Sequence, residues 1–439
     1  MPRMLLACTL LAAVALPGRA EQSITNAEIV IRLKVYPMAE PKPALRYLLL
    51  PELREMTPGN PIPNLLRCFM DQDFTSTQEK LGRAALRQAD RAARMDKPDW
   101  QILLKAKTDG IGLLLPDVQK MRQIAADLKD RFGEEAGQRR FDDALETAKT
   151  MFSMSRCFQD HPTLIGQLVG IAIAYVAIGP MEDMLEQPGC PNLYWALTNL
   201  PDPLITLGRG IEGERMMIEA ELNRAGMNDK SPMTEEQLKK AITYIDRILE
   251  LDGKRIKKTR AWLDERKNEK YLRAARQRLV ESGIVEDRVQ RFPADQILIL
   301  DQHRAYNELR DELFKYMNLP TWQVERLNLP LERYQKNEEV IFSLFLPAIM
   351  KVRRAQGRLE QRIALLRHVE ALRLYAAAHD GKLPEKLSDC SVPLPNDPFT
   401  NKPFHYKVEG DTAHLRGTPP RGEEKNPGYN VRYEITIVK

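Results

Sequence analysis

Gly208-Arg209-Gly210-Ile211-Glu212-Gly213 spells G-x-G-x-x-G, the spacing that lets backbone amides at a helix start face a pyrophosphate. That chemistry needs a buried strand just before the first glycine. Pro201-Asp202-Pro203-Leu204-Ile205-Thr206 makes none, and Glu212 would set a carboxylate close to the phosphates. The expected role is a glycine-loosened helix start. His368-x-Glu370 with His379 has the residue types of a metal site. Residues 368 and 379 lie about 16 Å apart along one helix, too far to share an ion. Glu370 points away from His368, because residues two apart do not face each other. Lys254 to Arg278 sets eleven basic residues against Asp264, Glu265 and Glu269, with Trp262 and Tyr271 among them. Such a stretch could face anionic lipid, envelope polymer or an acidic partner. The expectation is instead a solvated helix with charges paired at helical spacing, as Asp264 with Lys267. G-x-S-x-G, G-K-S/T and H-E-x-x-H are absent, and with them the local signatures of nucleophilic, phosphate and zinc chemistry. His161, His303, His405 and His414 have no ligand-like neighbours in sequence. No residue is therefore nominated as catalytic, cofactor-binding or metal-binding, and no cofactor is expected.

The elements that would position any site begin with an export signal. Arg3 precedes the apolar stretch Met4 to Leu16, then Pro17 and Gly18-Arg19-Ala20. That order reads as a signal peptide cleaved after Ala20. Cys8 lies inside the apolar region, which excludes a lipoprotein anchor. The net charge of +5 falls to +3 once Arg3 and Arg19 leave, no sign of a nucleic-acid binder. Cys68, Cys157, Cys190 and Cys390 remain and none forms C-x-x-C. Zinc ribbons, haem attachment and thiol redox catalysis are disfavoured. Disulfides and buried thiols both stay open, as do the three pairings.

Ile29, Ile31, Leu33 and Val35 alternate with polar residues, the period of a half-buried strand. A second short strand is expected at Leu45 to Leu50. Helical periodicity then covers Lys80 to Met95, Pro116 to Arg131 and a helix ending near Phe158. Leu164 to Gly179 is the most apolar run. At sixteen residues it falls short of the roughly twenty a bilayer requires, so a buried central helix is expected. Tyr194 and Trp195 should lock the turn-rich stretch Pro188 to Pro203 onto the core. Gly226 to Pro232 reads as a linker, followed by helices from about Thr234 to Gly283, Asp295 to Met317 and Leu331 to Tyr375. Phe404 to Val408 and Thr412 to Leu415 form a hairpin signal around Glu409-Gly410-Asp411. Val431, Tyr433, Ile435 and Ile437 make a terminal strand, which the N-terminal strand could join.

Resemblances extend this reading. Gly137-x-x-x-Phe141-x-x-Ala144-Leu145 resembles the inter-helix step of a tetratricopeptide repeat. Ala44 to Glu52 and Pro191 to Leu197 resemble stretches of a large family of uncharacterised exported bacterial proteins, which implies export but no activity. Ile363 to Leu415 resembles the C-terminal region of type II secretion major pseudopilins. Tyr375, Gly381, Pro384 and Leu387 carry the helix-end pattern, and Asp397-Pro398-Phe399-Thr400-Asn401-Lys402-Pro403-Phe404-His405-Tyr406 the loop. The pseudopilin resemblance implies a helix-then-strands domain, and a loop that could bind calcium through Asp397 and Asp389. The sequence lacks a prepilin cleavage site followed by a glycine-led apolar helix, so filament assembly is not expected.

The fold class expected is mainly α: stacked antiparallel helix pairs, repeat-like, with a small α+β C-terminal domain. The divisions are a signal peptide (1–20), an N-terminal strand segment (21–60), two helical regions (61–228 and 229–362) and a pseudopilin-like domain (363–439). The expected function is a non-catalytic interaction or scaffold protein, periplasmic or secreted, with a protein partner in the cell envelope. No nucleic acid and no transmembrane span after cleavage are expected. The alternatives are an accessory component of a secretion or pilus-like assembly, and a hydrolase with a dispersed site where a Ser or His meets a carboxylate.

Overall fold

The computed structural model describes residues 21–24, 27–70, 80–250, 259–328 and 347–438. Residues 1–20, positions 254–258 of the basic segment, and positions 331–346 of the helix expected from Leu331 to Tyr375 lie outside the described residues. The protein is mainly α, with a small mixed sheet built from its two ends.

Five strands order as β1-β2-β5-β4-β3. They are β1 Glu21–Ile24, β2 Ile29–Val35, β3 His405–Glu409, β4 Thr412–Arg416 and β5 Val431–Ile437. β2 and β5 pair in parallel, Ile31 opposite Tyr433 and Leu33 opposite Ile435, and the other pairs are antiparallel. Alternation explains the register. Ile31, Leu33 and Val35 are buried, as are Tyr433 and Ile435. Arg32 leaves by the other face, where its Nε meets Glu434 Oε2 at 3.0 Å. A one-residue slip would expose the whole apolar set.

The strand expected at Leu45 to Leu50 does not form; the stretch runs as turns and bends. Both edges of β2 are occupied, by β1 and β5, so a further strand there has no ladder to join. Leu45 is exposed while Leu49 is buried, which makes the segment a surface loop with one anchor.

Fifteen described helices run between the sheet's two halves, numbered α1 to α15 in chain order. α4 Pro116–Gly137, α5 Phe141–Cys157 and α6 Leu164–Leu185 form the heart of the body. Short connections force them antiparallel. Proline occupies the first turn of α4. Asp142 and Asp143 complement the dipole at the start of α5, and Ala144 and Ala148 there are fully buried, so neighbouring helices approach closely. Thr163 caps α6 by accepting from Gly166 N at 3.0 Å. α6 is apolar on all sides and mostly buried, although by length and composition it could cross a membrane.

α7 Tyr194–Thr198 sits in the turn-rich stretch. Tyr194 donates its hydroxyl to Pro393 O, and Trp195 Nε1 reaches Glu40 Oε2 at 2.7 Å. Together they tie the stretch to both chain ends. α8 Gly208–Arg224 begins at the first glycine of the G-x-G-x-x-G pattern. A Cβ at Gly210 would meet Gln167 Oε1 at 2.3 Å, and one at Gly213 would meet Pro162 O at 1.8 Å. Those glycines let α8 lie against the apolar helix.

α15 Pro347–Ala378 is the longest described helix, and packs on α6, α7 and β5. The expected division between 362 and 363 falls inside this continuous helix. The C-terminal strands share their sheet with β2 from the N-terminus, because β2 offers β5 a buried edge. Two buried charge networks weld α15 in place. Glu370 takes Leu193 N at 3.0 Å, Asn192 Nδ2 at 2.7 Å and Arg373 Nη1 at 2.8 Å. Arg373 in turn donates to Tyr36 O and Cys190 O. Earlier on the same helix, Arg362 donates to Glu182 Oε1, as does the Tyr433 hydroxyl from β5. Burial pushes the Glu182 carboxyl and the Tyr433 phenol upward, opposed by the Arg362 charge.

Cys68, Cys157, Cys190 and Cys390 are free thiols. Burial pushes Cys157 and Cys190 up to about 12, and Cys68 and Cys390 to about 11, so all four are poor nucleophiles.

Candidate functional site

Arg353, Gln356 and Glu360 stand three and four residues apart, which places them on one face of α15. Each fastens a loop brought from far away in sequence. Arg353 donates through Nη2 to Leu319 O, in the segment leading into α14 Thr321–Leu327. Gln356 Nε2 donates to Ile205 O at 2.7 Å, which fixes the stretch between α7 and α8. Thr321 Oγ1 donates to Glu360 Oε2 at 3.2 Å. The adjacent Gln361 holds a third loop through Asp397, at 3.2 Å to each carboxylate oxygen.

The three loops and the helix enclose an open groove of about 660 Å³. Gly357 makes the close approach possible. A Cβ there would lie 2.8 Å from both Phe399 Cε1 and Thr321 Cγ2, so two walls would have to retreat. Asp202, Asn318, Trp322, Glu360, Asn396 and Asn401 are among the groups lining the groove. The three asparagines and Asp202 are exposed, Trp322 and Glu360 half-buried, and Arg353 buried.

Electrostatics single out Glu360. Burial pushes its carboxyl up to about 7, against the nearby Arg353 charge and the Thr321 hydroxyl, and with a further push from Asp202. Arg353 is lowered, chiefly by burial, and its buried Nε has no hydrogen-bond partner among the described residues. A carboxyl that is part-protonated at neutral pH can both donate and accept a hydrogen bond. Perturbed carboxyls in clefts recur at functional sites.

The residues singled out in sequence take other places. His368 is buried, its Nδ1 2.8 Å from Ala364 O and its ring 4.7 Å from that of Phe404. Burial lowers it to about 4, so it is neutral. His379 stacks on Tyr375 at 3.8 Å, and Glu370 belongs to the Arg373 network. Asp397, raised by burial, also accepts from Phe399 N at 2.9 Å and Thr418 N at 2.6 Å. Both its oxygens hold protein donors, which makes it the organiser of its loop. Asp389 caps a short turn through Lys386 N at 3.0 Å. In the described part of the basic segment, Arg260 and Lys267 pair with Asp295, Arg278 with Asp301 and Arg266 stacks over Trp262. Glu360, Arg353, Asp202 and Trp322 were not anticipated. The available signal was the polar stripe at 353, 356 and 360, whose meaning depends on loops 34 to 151 residues away.

A second pocket of about 700 Å³ brings His303 and Glu219 together, Nε2 to Oε1 at 3.6 Å. His303 and Arg310 hold the Glu219 carboxyl below the usual range, despite burial. Ser282 lines the same pocket, but its hydroxyl donates to Leu279 O at 2.7 Å.

No protein-family model, curated protein or solved structure matches the chain.

Proposed function

We propose that this is a non-catalytic extracytoplasmic binding protein, which holds its ligand or partner in the groove on α15. One observation carries the reading. Two loops distant in sequence are pinned to the polar stripe and a third to the adjacent Gln361, and the groove they enclose retains polar groups that the fastening does not use up. Glu360 commits one oxygen to Thr321, and the exposed Asp202 and Asn318 line the groove with it. Polar groups converging on one open groove suit a ligand. The signal-peptide pattern of residues 1–20 supports the compartment.

Photocrosslinking tests it. A photoreactive residue replacing Thr206 or Pro320, both exposed at the groove, should capture a component of envelope extracts. The same residue at Lys105, exposed on the helical body outside the groove, should not. Capture from position 105 but from neither groove position would contradict the proposal.

A dispersed hydrolase is the second reading, supported by the His303–Glu219 pair. It expects turnover of chromogenic esters by the wild-type chain that His303→Ala abolishes. Turnover unaffected by that change removes it.

A further inference from the structure

The groove's lining is selective about chemistry. Trp322 supplies a broad, half-buried apolar face with a polar edge, and stands among groups suited to hydroxyls. Asn318, Asn396 and Asn401 come from two walls, and each amide carries donors and an acceptor. Asp202 and Glu360 add acceptors. An alcohol is likewise donor and acceptor at one atom, whereas its ring carbons are apolar. We infer that the groove binds a short stretch of glycan, with a sugar ring seated on Trp322 and its hydroxyls met by the asparagines and the two acids.

This inference rests on the reading of the groove as the binding site. Other ligand classes fit less well. An oxyanion such as phosphate needs an open cationic fork. The Arg353 terminal nitrogens are already committed to Gln356 Oε1 and Leu319 O, and Asp202 and Glu360 would repel the anion. A lipid tail would strip water from the exposed asparagines with nothing in return. A cationic peptide meets the Arg353 charge at the floor, and Glu360, pushed up to about 7, holds only part of a negative charge at neutral pH. A glycan demands no net charge, and a groove of about 660 Å³ admits a short oligosaccharide.

The test is isothermal titration calorimetry on the full chain from residue 21, with cellotetraose, maltotetraose and chitotetraose as probes. Trilysine and inorganic phosphate serve as comparisons. At least one tetrasaccharide should bind saturably and one to one. Trp322→Ala and Asn396→Ala should each weaken it about tenfold or more, and Trp322→Phe should recover most of the loss. Tyr271→Ala lies outside the groove and should leave binding unchanged. Asn396 is exposed, so its replacement keeps the test valid should Trp322→Ala fold poorly. No binding by any tetrasaccharide overturns the inference, as does undiminished binding in both alanine variants, or binding of trilysine or phosphate alone. Groove crosslinks to a protein together with silent tetrasaccharides would overturn the glycan while leaving the groove reading intact. Silence in both experiments overturns both.

Discussion

Glu360 and Glu370 lie on the same helix, ten residues apart, and the structure treats them in opposite ways. Glu370 is fully buried, and both its oxygens meet donors: a backbone amide, an asparagine amide and an arginine. Glu360 faces a groove and meets one hydroxyl, with an arginine near enough to act through charge. The first arrangement holds parts together. Its donors join α15, the loop before α7 and, through Arg373, the chain leaving β2. The second leaves capacity unspent. Position on a helix therefore says little about a carboxylate's role, whereas the count of its committed partners says much.

Breaking the sealed site should have the largest effect. Arg373→Ala strands the Glu370 charge in the interior and removes the donors to Tyr36 O and Cys190 O. The expected loss is about 3–5 kcal/mol, read as a lower urea midpoint. A loss within about 0.5 kcal/mol would show that water or a neighbour replaces the guanidinium.

Gly357→Ala presses on the groove from its floor. Phe399 and Thr321 must both move, at an expected cost of about 1–3 kcal/mol. Crosslinking from the groove positions should weaken with it. A variant as stable as the parent, with crosslinking intact, would mean that the walls yield freely.

Titration sharpens the contrast further. The Glu360 carboxyl is raised in the folded state, so the folded protein binds more protons than the unfolded chain between pH 4.5 and about 7. Its contribution to stability is therefore fully present below pH 4.5 and is lost as pH rises through 7. Glu360→Gln should be less sensitive to pH than the parent across that window, in urea midpoints measured at pH 5 and pH 7.5. Identical slopes would place the Glu360 carboxyl in its ordinary range.

The smallest effect belongs to the rim. Asn396→Ala is exposed, and its Nδ2 reaches only Asn401 Oδ1 at 3.4 Å. Its stability should stay within about 0.5 kcal/mol of the parent by thermal unfolding. A larger drop would make it one more fastener.

The sealed and open sites also mark how far the sequence could be read. Period-two alternation made β2 and β5 legible, since each strand's inward face is recorded in its own residues. α6 was legible from its apolar length and the glycines within it. The apolar run at Leu45 to Leu50 misled because apolar character alone does not place a segment beside a strand: Leu49 is buried while Leu45 is exposed. A helix was expected from Leu331 to Tyr375, and the described helix Pro347–Ala378 covers its second part and runs through position 363, because the loop and strands beyond a helix do not tell where the helix packs. The candidate site was hidden for the same reason. Arg353, Gln356 and Glu360 look in sequence like a solvated stripe, and only Leu319, Ile205 and Thr321 convert them into a floor. Glu370 was read against His368, its neighbour in sequence, while its partners Asn192 and Leu193 lie 178 and 177 residues away.

The most direct test replaces each carboxylate by its amide, Glu360→Gln and Glu370→Gln, and compares urea unfolding at pH 7.5. The amide at 360 still accepts from Thr321 and should leave stability unchanged or raised. The amide at 370 loses the charge that Arg373 faces in the interior and should cost several kcal/mol, on the order of 3–5. Equal losses at the two positions would contradict the account, because Glu360 would then be a fastener like Glu370 and the groove would have no carboxyl to spare.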